Sequence, residues 1–279
     1  MAAALSNLLG FDSEKTELAI GISATQAGGL AASFGTMAKP LHPGKAAMDG
    51  LLSAALAEAG FTGPRDAING DGGIVSTYLE EMPPMRFPAS YRPGDEVLKI
   101  GIKPYPSCLL THPSVDAAIQ LASRLPGPLS DVAEIECRVN PLAARVAGRQ
   151  SPKSGLEGKF SVQYCVAAAL ANSRLVDADF VDAQVGDPAL AELCSRVRLV
   201  ADDRLEAIGA VVEVTYNSGS SVAQQIPVAK GNPANPMTES ECLAKFRDVA
   251  EPVVGEEGVN KLVDGCLRLE ELVAIDFLV

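Results

Sequence analysis

Asp131–Val139, DVAEIECRV, is the stretch whose reading decides the fold. Ala133, Ile135, Cys137 and Val139 fall on one face, and Glu134, Glu136 and Arg138 on the other. Strict period-two alternation predicts a half-solvated strand of an antiparallel sheet. Downstream, Ser154-x-x-Glu157 has the form of a capping box opening a helix through KFSVQYCVAAALA. That segment is apolar almost all round, so it is expected to be buried. VRLV, AIGAVVEVTY and SVAQQIP read as further strands, the last two joined at Asn217-Ser218-Gly219, a hairpin signal. Upstream, Thr111 is placed to cap a helix with Pro113 near its first turn and Val115, Ala118, Ile119 and Ala122 on one stripe. EVLKIGIK before it reads as a strand with Leu98, Ile100 and Ile102 on one face.

On either side of this mixed region the pattern is helical. Ser13 is placed to cap a helix through ELAIGISATQAGGLAAS. A second helix is expected to start near Lys45, with Met48, Leu51, Leu52, Ala55 and Leu56 as its apolar face, and to stop at Gly60 before FTGP. After the turn KGNPANP, the capping box Thr238-x-x-Glu241 opens a helical pattern that runs to Leu278. The order predicts a mainly α protein. A helical domain (residues 1–97) is interrupted by a small α+β domain (98–232), and residues 233–279 return the chain to the helical domain.

The chain of 279 residues is long enough for two domains, and its 47% hydrophobic and 21% charged residues are ordinary for a globular protein. A net charge of −12 argues against nucleic-acid partners, and any anionic substrate must be met by a local concentration of cations. The six cysteines are widely spaced without a CxxC, and only two histidines occur, so a zinc signature is absent and no metal is expected. No run reaches about 18 apolar residues, the length that reads as a membrane span. Met1 is followed by no basic, apolar leader pattern, so a cytoplasmic protein with reduced thiols is expected.

One histidine lies in FGTMAKPLHPGKAA, Phe34–Ala47, beside Lys39 and Lys45. Two readings fit: a solvated connection between helices, or an anion pocket with a proton-transfer group. Lys39 precedes Pro40, which disfavours helix there. Lys103-Pro-Tyr-Pro-Ser-Cys108 and His112 lie between a strand-like segment and a helix start, where outward N–H groups suit carboxylates. Cys108 is either a packed thiol or a pocket residue, and His112 a structural histidine or a ligand contact. Tyr164, in the apolar helix, is either a packed phenol or a general acid. Lys159 is either a surface cation or a carboxylate clamp. GxGxxG, P-loop and GxSxG motifs are absent.

GTMAKPLHPGKAAMDGLLSAALAEAGFTGP, KPYPSCLLTHPSVDAA, SGLEGKFSVQYCVAAAL and GNPANPMTESECLAKF together resemble the MmgE/PrpD family. It includes 2-methylcitrate dehydratase, cis-aconitate decarboxylase and an iminodisuccinate epimerase. The resemblance covers essentially the whole chain. It implies an all-helical domain split in sequence by an α+β lid, with the active site between them. It implies Lys39, Lys103 and Tyr164 as catalytic residues, with His42, Lys45, Cys108, His112 and Lys159 around the substrate. The decarboxylase branch carries a histidine where Cys108 stands. The implied activity is cofactor-independent lyase or isomerase chemistry on a di- or tricarboxylate, most like 2-methylcitrate dehydratase, by proton removal next to a carboxylate. A homodimer is implied. Relatives also carry a long helical segment before the point where this sequence begins. From this we expect exposed apolar helix faces, and dependence on that segment or on a second chain supplying it. A binding module for anionic metabolites without turnover is the remaining reading.

Overall fold

The computed structural model describes residues 1–79, 94 and 96–272, in two compact units, Met1–Arg92 and Pro93–Val279. The first unit contains helices α1 (Ala2–Leu8), α2 (Ser13–Ala24), α3 (Ala38–Glu58) and α4 (Ile74–Tyr78). The second contains α5 (His112–Ala122), β1 (Val132–Val139), α6 (Pro141–Ala147), α7 (Gly155–Gly158) and α8 (Val162–Asn172). These are followed by α9 (Asp182–Val185), α10 (Pro188–Ser195), β2 (Val197–Ala201), β3 (Ala210–Tyr216), β4 (Ser221–Ile226) and α11 (Glu239–Leu267). The mainly α character with one small sheet agrees with the sequence pattern. Among the described residues no helix is long and apolar enough to cross a membrane.

In the first unit the cap of α2 is Asp12, whose carboxylate accepts from the Lys15 N–H at 2.8 Å, so Ser13 is the first helical residue rather than the cap. Helix α3 begins at Ala38, not near Lys45. Pro40 falls in the first turn, where the N–H it lacks has no intrahelical partner in any case. The pre-proline bias at Lys39 does not hold: the residue is helical. Just ahead of the helix, the Thr36 hydroxyl accepts from the Ala38 N–H and its carbonyl from that of Lys39.

The expected apolar face of α3 is also corrected. Met48, Leu51, Leu52 and Ala55 are exposed and Leu56 is half-buried, while Asp49, Gly50, Ser53, Ala54 and Ala57 are buried. Helices α1 and α2 both pack on α3, and the approach is close. A Cβ on Gly50 would lie 2.6 Å from the Cβ of Met1 and 2.8 Å from the Ala2 nitrogen. Small side chains therefore face inward and large ones outward. Ala2, Ala19, Ile22 and Ala57 form the small core of this unit.

The second unit is built on a four-stranded sheet of order β2-β1-β3-β4. β1 lies parallel to β2 and antiparallel to β3, so the sheet is mixed rather than purely antiparallel. Ile135, Cys137 and Val139 are buried as expected. Ala133 is exposed and Val132 takes its place, because the register against β3 shifts between Val132 and Glu134. Such a bulge turns one residue out of the alternation. The hairpin β3–β4 turns at Asn217–Ser220, where Gly219 donates its N–H to the Tyr216 carbonyl.

Helices α5 and α8 pack side by side, α5 against β3 and β4, α8 against β2. Every residue of α8 from Val162 to Leu170 is buried, as its all-round apolar pattern predicts. Ser154 opens only the short α7. A new cap follows at Ser161, whose hydroxyl accepts from the Tyr164 N–H at 3.0 Å. The segment 96–103 is not a strand. Val97–Lys99 is a 3₁₀ turn, and beyond it the Ile102 N–H donates to the Gly231 carbonyl at 2.8 Å. Leu98, Ile100 and Ile102 are exposed, and no ladder pairs them among the described residues. The capping box of α11 is complete in both directions, and the helix breaks at Gly255 (φ +71°, ψ 170°). Beyond the break Asn260 accepts from Arg247 at 2.9 Å, so the two halves fold back on each other. The expected continuation toward Leu278 passes outside the described residues after residue 272.

Candidate active site

Three side chains expected at the site, Lys39, His42 and Lys45, lie on the first two turns of α3. Lys39 is half-buried and makes no side-chain hydrogen bond or ion pair among the described residues. The His42 ring packs against the backbone at Gly29, where a Cβ would come within 3.0 Å of Nδ1. Lys45 is committed: its ammonium is 2.5 Å from the buried Asp49 carboxylate and donates to the Gln26 carbonyl at 3.3 Å. Ser53 joins this network, accepting from the Gln26 amide and donating to the Asp49 carbonyl. The earlier loop reading therefore becomes a helix face, which holds cations at more fixed spacing than a loop would.

In the second unit Lys103 and His112 come together around the Ser107 carbonyl, next in the chain to Cys108. The Lys103 ammonium donates to Ser107 O at 3.1 Å, and His112 Nε2 lies 3.4 Å from the same oxygen. A carbonyl only accepts, so this contact places the proton on Nε2, leaving Nδ1 buried without a partner. The His112 side chain is fully buried, and burial, then the Lys103 charge, lower its pKa to about 4. It is a neutral imidazole at neutral pH. Ser107 and Thr111 share a hydroxyl contact at 2.7 Å, and Thr111 donates to the Cys108 carbonyl at 2.9 Å. The turn from Lys103 to His112 is thus stiffened from inside.

Lys159 and Tyr164 belong to a neighbouring cluster. Lys159 pairs with Asp177 at 2.8 Å and lies over the Phe180 ring. The Tyr164 phenol donates to the Asp179 carbonyl, its ring tilts against Phe180, and it is 1% exposed. Burial, then Asp179, push its pKa up. The link to the first cluster is through backbone, the Cys108 N–H donating to the Lys159 carbonyl at 2.8 Å.

Sequence reasoning missed Tyr105, Asp116, Lys230 and Glu241. Asp116 is buried on α5 one turn after His112, and accepts from the Tyr105 hydroxyl at 2.6 Å and the Lys230 N–H at 2.7 Å. Burial raises its pKa, and burial followed by Asp116 raises that of Tyr105. The signal available was a lone carboxylate inside an apolar helix stripe, which must find partners. Among the described residues no group of three His, Cys, Asp or Glu side chains could hold a metal ion. Cys137 and Cys165 are fully buried with pKa values pushed up to about 12, so neither is a thiolate at neutral pH.

Residues 1–85 match the MmgE/PrpD N-terminal domain and residues 105–269 the MmgE/PrpD C-terminal domain. The chain belongs to the MmgE/PrpD family. Within that family it is 28% identical to a cis-aconitate decarboxylase of Homo sapiens over 282 residues, which cover 97% of this chain and 58% of the relative. It is 27% identical to a cis-aconitate decarboxylase of Aspergillus terreus over 303 residues, 98% of this chain and 60% of the relative. A Mus musculus cis-aconitate decarboxylase is 25% identical over 292 residues, 97% of this chain and 57% of the relative. The chain thus spans about six tenths of the length of these MmgE/PrpD relatives.

Proposed function

We propose that the chain carries lyase chemistry on a tricarboxylate, acting at a carbon next to a carboxylate. The observation that carries this is the match to cis-aconitate decarboxylases along nearly all of the chain, in both domains. Lys39 and Lys103 are the cations we assign to the substrate carboxylates. Each is a point charge in an otherwise acidic protein, and negative charge that develops on an enolate-like species needs such a partner. His112, neutral and buried, serves by holding the turn beneath Lys103. We leave the Tyr164 phenol out of the proton path, because its one proton is spent on the Asp179 carbonyl. Lys45 and Lys159 are likewise held by Asp49 and Asp177.

Two reactions fit this reading. Loss of carbon dioxide from cis-aconitate, with a proton taking the place of the carboxylate, follows the named activity of the relatives. Loss of water from 2-methylcitrate is favoured by one feature, Cys108, which stands where the decarboxylase branch is expected to carry a histidine. Proton NMR of purified protein with cis-aconitate, 2-methylcitrate, citrate and iminodisuccinate in deuterated water separates them. Carbon dioxide release from cis-aconitate supports decarboxylation, and olefin formation from 2-methylcitrate supports dehydration. No conversion and no α-proton exchange from a folded sample would remove the lyase reading for this chain.

A further inference from the structure

Lys103 is flanked by two clamps that the substrate chemistry does not require. On one side the Ile102 N–H donates to the Gly231 carbonyl at 2.8 Å. On the other, Tyr105 donates its hydroxyl to Asp116 at 2.6 Å. The second oxygen of Asp116 takes the Lys230 N–H at 2.7 Å, so both clamps end on the same short turn, residues 230–235. The Lys230 ammonium in turn pairs with Glu241 in the first turn of α11 at 2.9 Å. Pro104 and Pro106 flank Tyr105 and restrict the backbone between the lysine and the tyrosine. Asp116 itself is buried on α5, a rigid element packed on the sheet. A buried carboxylate with two directional acceptor bonds fixes what it binds far better than a surface contact does.

We propose that Asp116 is a positioning residue for Lys103: through Tyr105 and the 230–235 turn it sets where the lysine ammonium stands. This rests on the reading of Lys103 as a carboxylate-holding cation. Asp116 touches no substrate in this arrangement and acts through the tyrosine.

The test replaces the tyrosine hydroxyl alone. Tyr105→Phe is made in the wild-type and in the Lys103→Ala background, and kcat and KM are measured for whichever polycarboxylate turns over. In the wild-type background kcat/KM is expected to fall about tenfold or more, as for other displacements of a binding group by a fraction of an ångström. In the Lys103→Ala background the same change is expected to add nothing, because the group it positions is gone. Equal losses in both backgrounds would assign Tyr105 a general structural role and overturn the proposal.

A second readout does not depend on turnover. Lysines are ¹³C-methylated, and the Lys103 signal is assigned by its absence in Lys103→Ala. Tyr105→Phe is expected to shift that signal while the other resolved lysine signals hold still; an unmoved Lys103 signal overturns the proposal. If the chain turns nothing over but the signal shifts, the lyase reading fails and the positioning inference stands. If Tyr105→Phe does not fold, Asp116→Ala takes its place. Its methyl group accepts from neither donor, so both hydrogen bonds of the carboxylate are lost and the same shift is expected.

Discussion

Lys45 and Asp49, one helical turn apart on α3, form an ion pair at 2.5 Å in which the carboxylate is buried and the ammonium half-exposed. Removing the lysine leaves a buried carboxylate without its counter-charge. Lys45→Ala is therefore expected to destabilise the protein by roughly 2 kcal/mol, less than a fully buried pair because water reaches the lysine side. Urea unfolding checks this. Asp49→Asn placed on top of Lys45→Ala is expected to recover part of the loss, and a further drop would show that the pair is not the source.

A stability change with pH follows from His112. Its pKa is about 4 in the folded chain, lowered by burial and then by Lys103, against an ordinary value of about 6.5. The unfolded chain then binds the extra proton first, so stability falls as pH drops from about 6.5 to about 4 and the His112 contribution is constant below that. The expected loss is about 3 kcal/mol across that window. Thermal melts of wild-type and His112→Gln at pH 7 and pH 4.5 measure it, with the wild-type showing the steeper fall.

Ser173 ends α8 in the left-handed region, φ 55° and ψ 18°. A non-glycine residue there carries strain of about 1 kcal/mol. Ser173→Gly is expected to raise stability by up to about that amount, and Ser173→Val to lower it, both read from denaturant midpoints. A Ser173→Val chain as stable as the wild-type would contradict the assigned cap.

Gly231 has φ +83°, and a Cβ there would lie 1.9 Å from the Ile102 carbonyl oxygen. Gly231→Ala must push the segment before Lys103 away. A loss of about 2 kcal/mol or more is expected, since backbone strain and a broken hydrogen bond add. Hydrogen exchange at Ile102 is expected to accelerate more than exchange in β1, and uniform acceleration would count against a local effect.

Much of the second unit is legible in the sequence, because one-sided burial writes alternation into β1 and β3 and all-round burial writes an apolar run into α8. Ala133 misleads because a bulge depends on the partner strand, which no local pattern contains. α3 misleads twice. Its prolines look like loop residues although the helix starts before them, and its large apolar residues look like a core face although close packing needs small ones. Segment 96–103 has strand spacing but no neighbour to pair with among the described residues. At the candidate site the cations stand out in the sequence, but their partners do not. Asp49, Asp177 and Asp179 lie 4, 18 and 15 residues from Lys45, Lys159 and Tyr164, and only the first spacing is that of a helical neighbour.

The parallel pairing of β1 with β2 fixes the order in which this unit can assemble as it leaves the ribosome. β1 emerges first, yet both of its neighbours lie beyond α6 to α10 in the chain. Its two edges stay open while those helices are being made, the state in which strands pair with the wrong partner. During that interval α5, whose Ser114 meets Cys137 of β1, and α8, which shares the same buried core, are the apolar surfaces available to shelter it. Slowing translation once α8 has left the ribosome and before β2 has would lengthen the time in which α5, β1 and α8 can collapse together before β2 and the β3–β4 hairpin close the sheet.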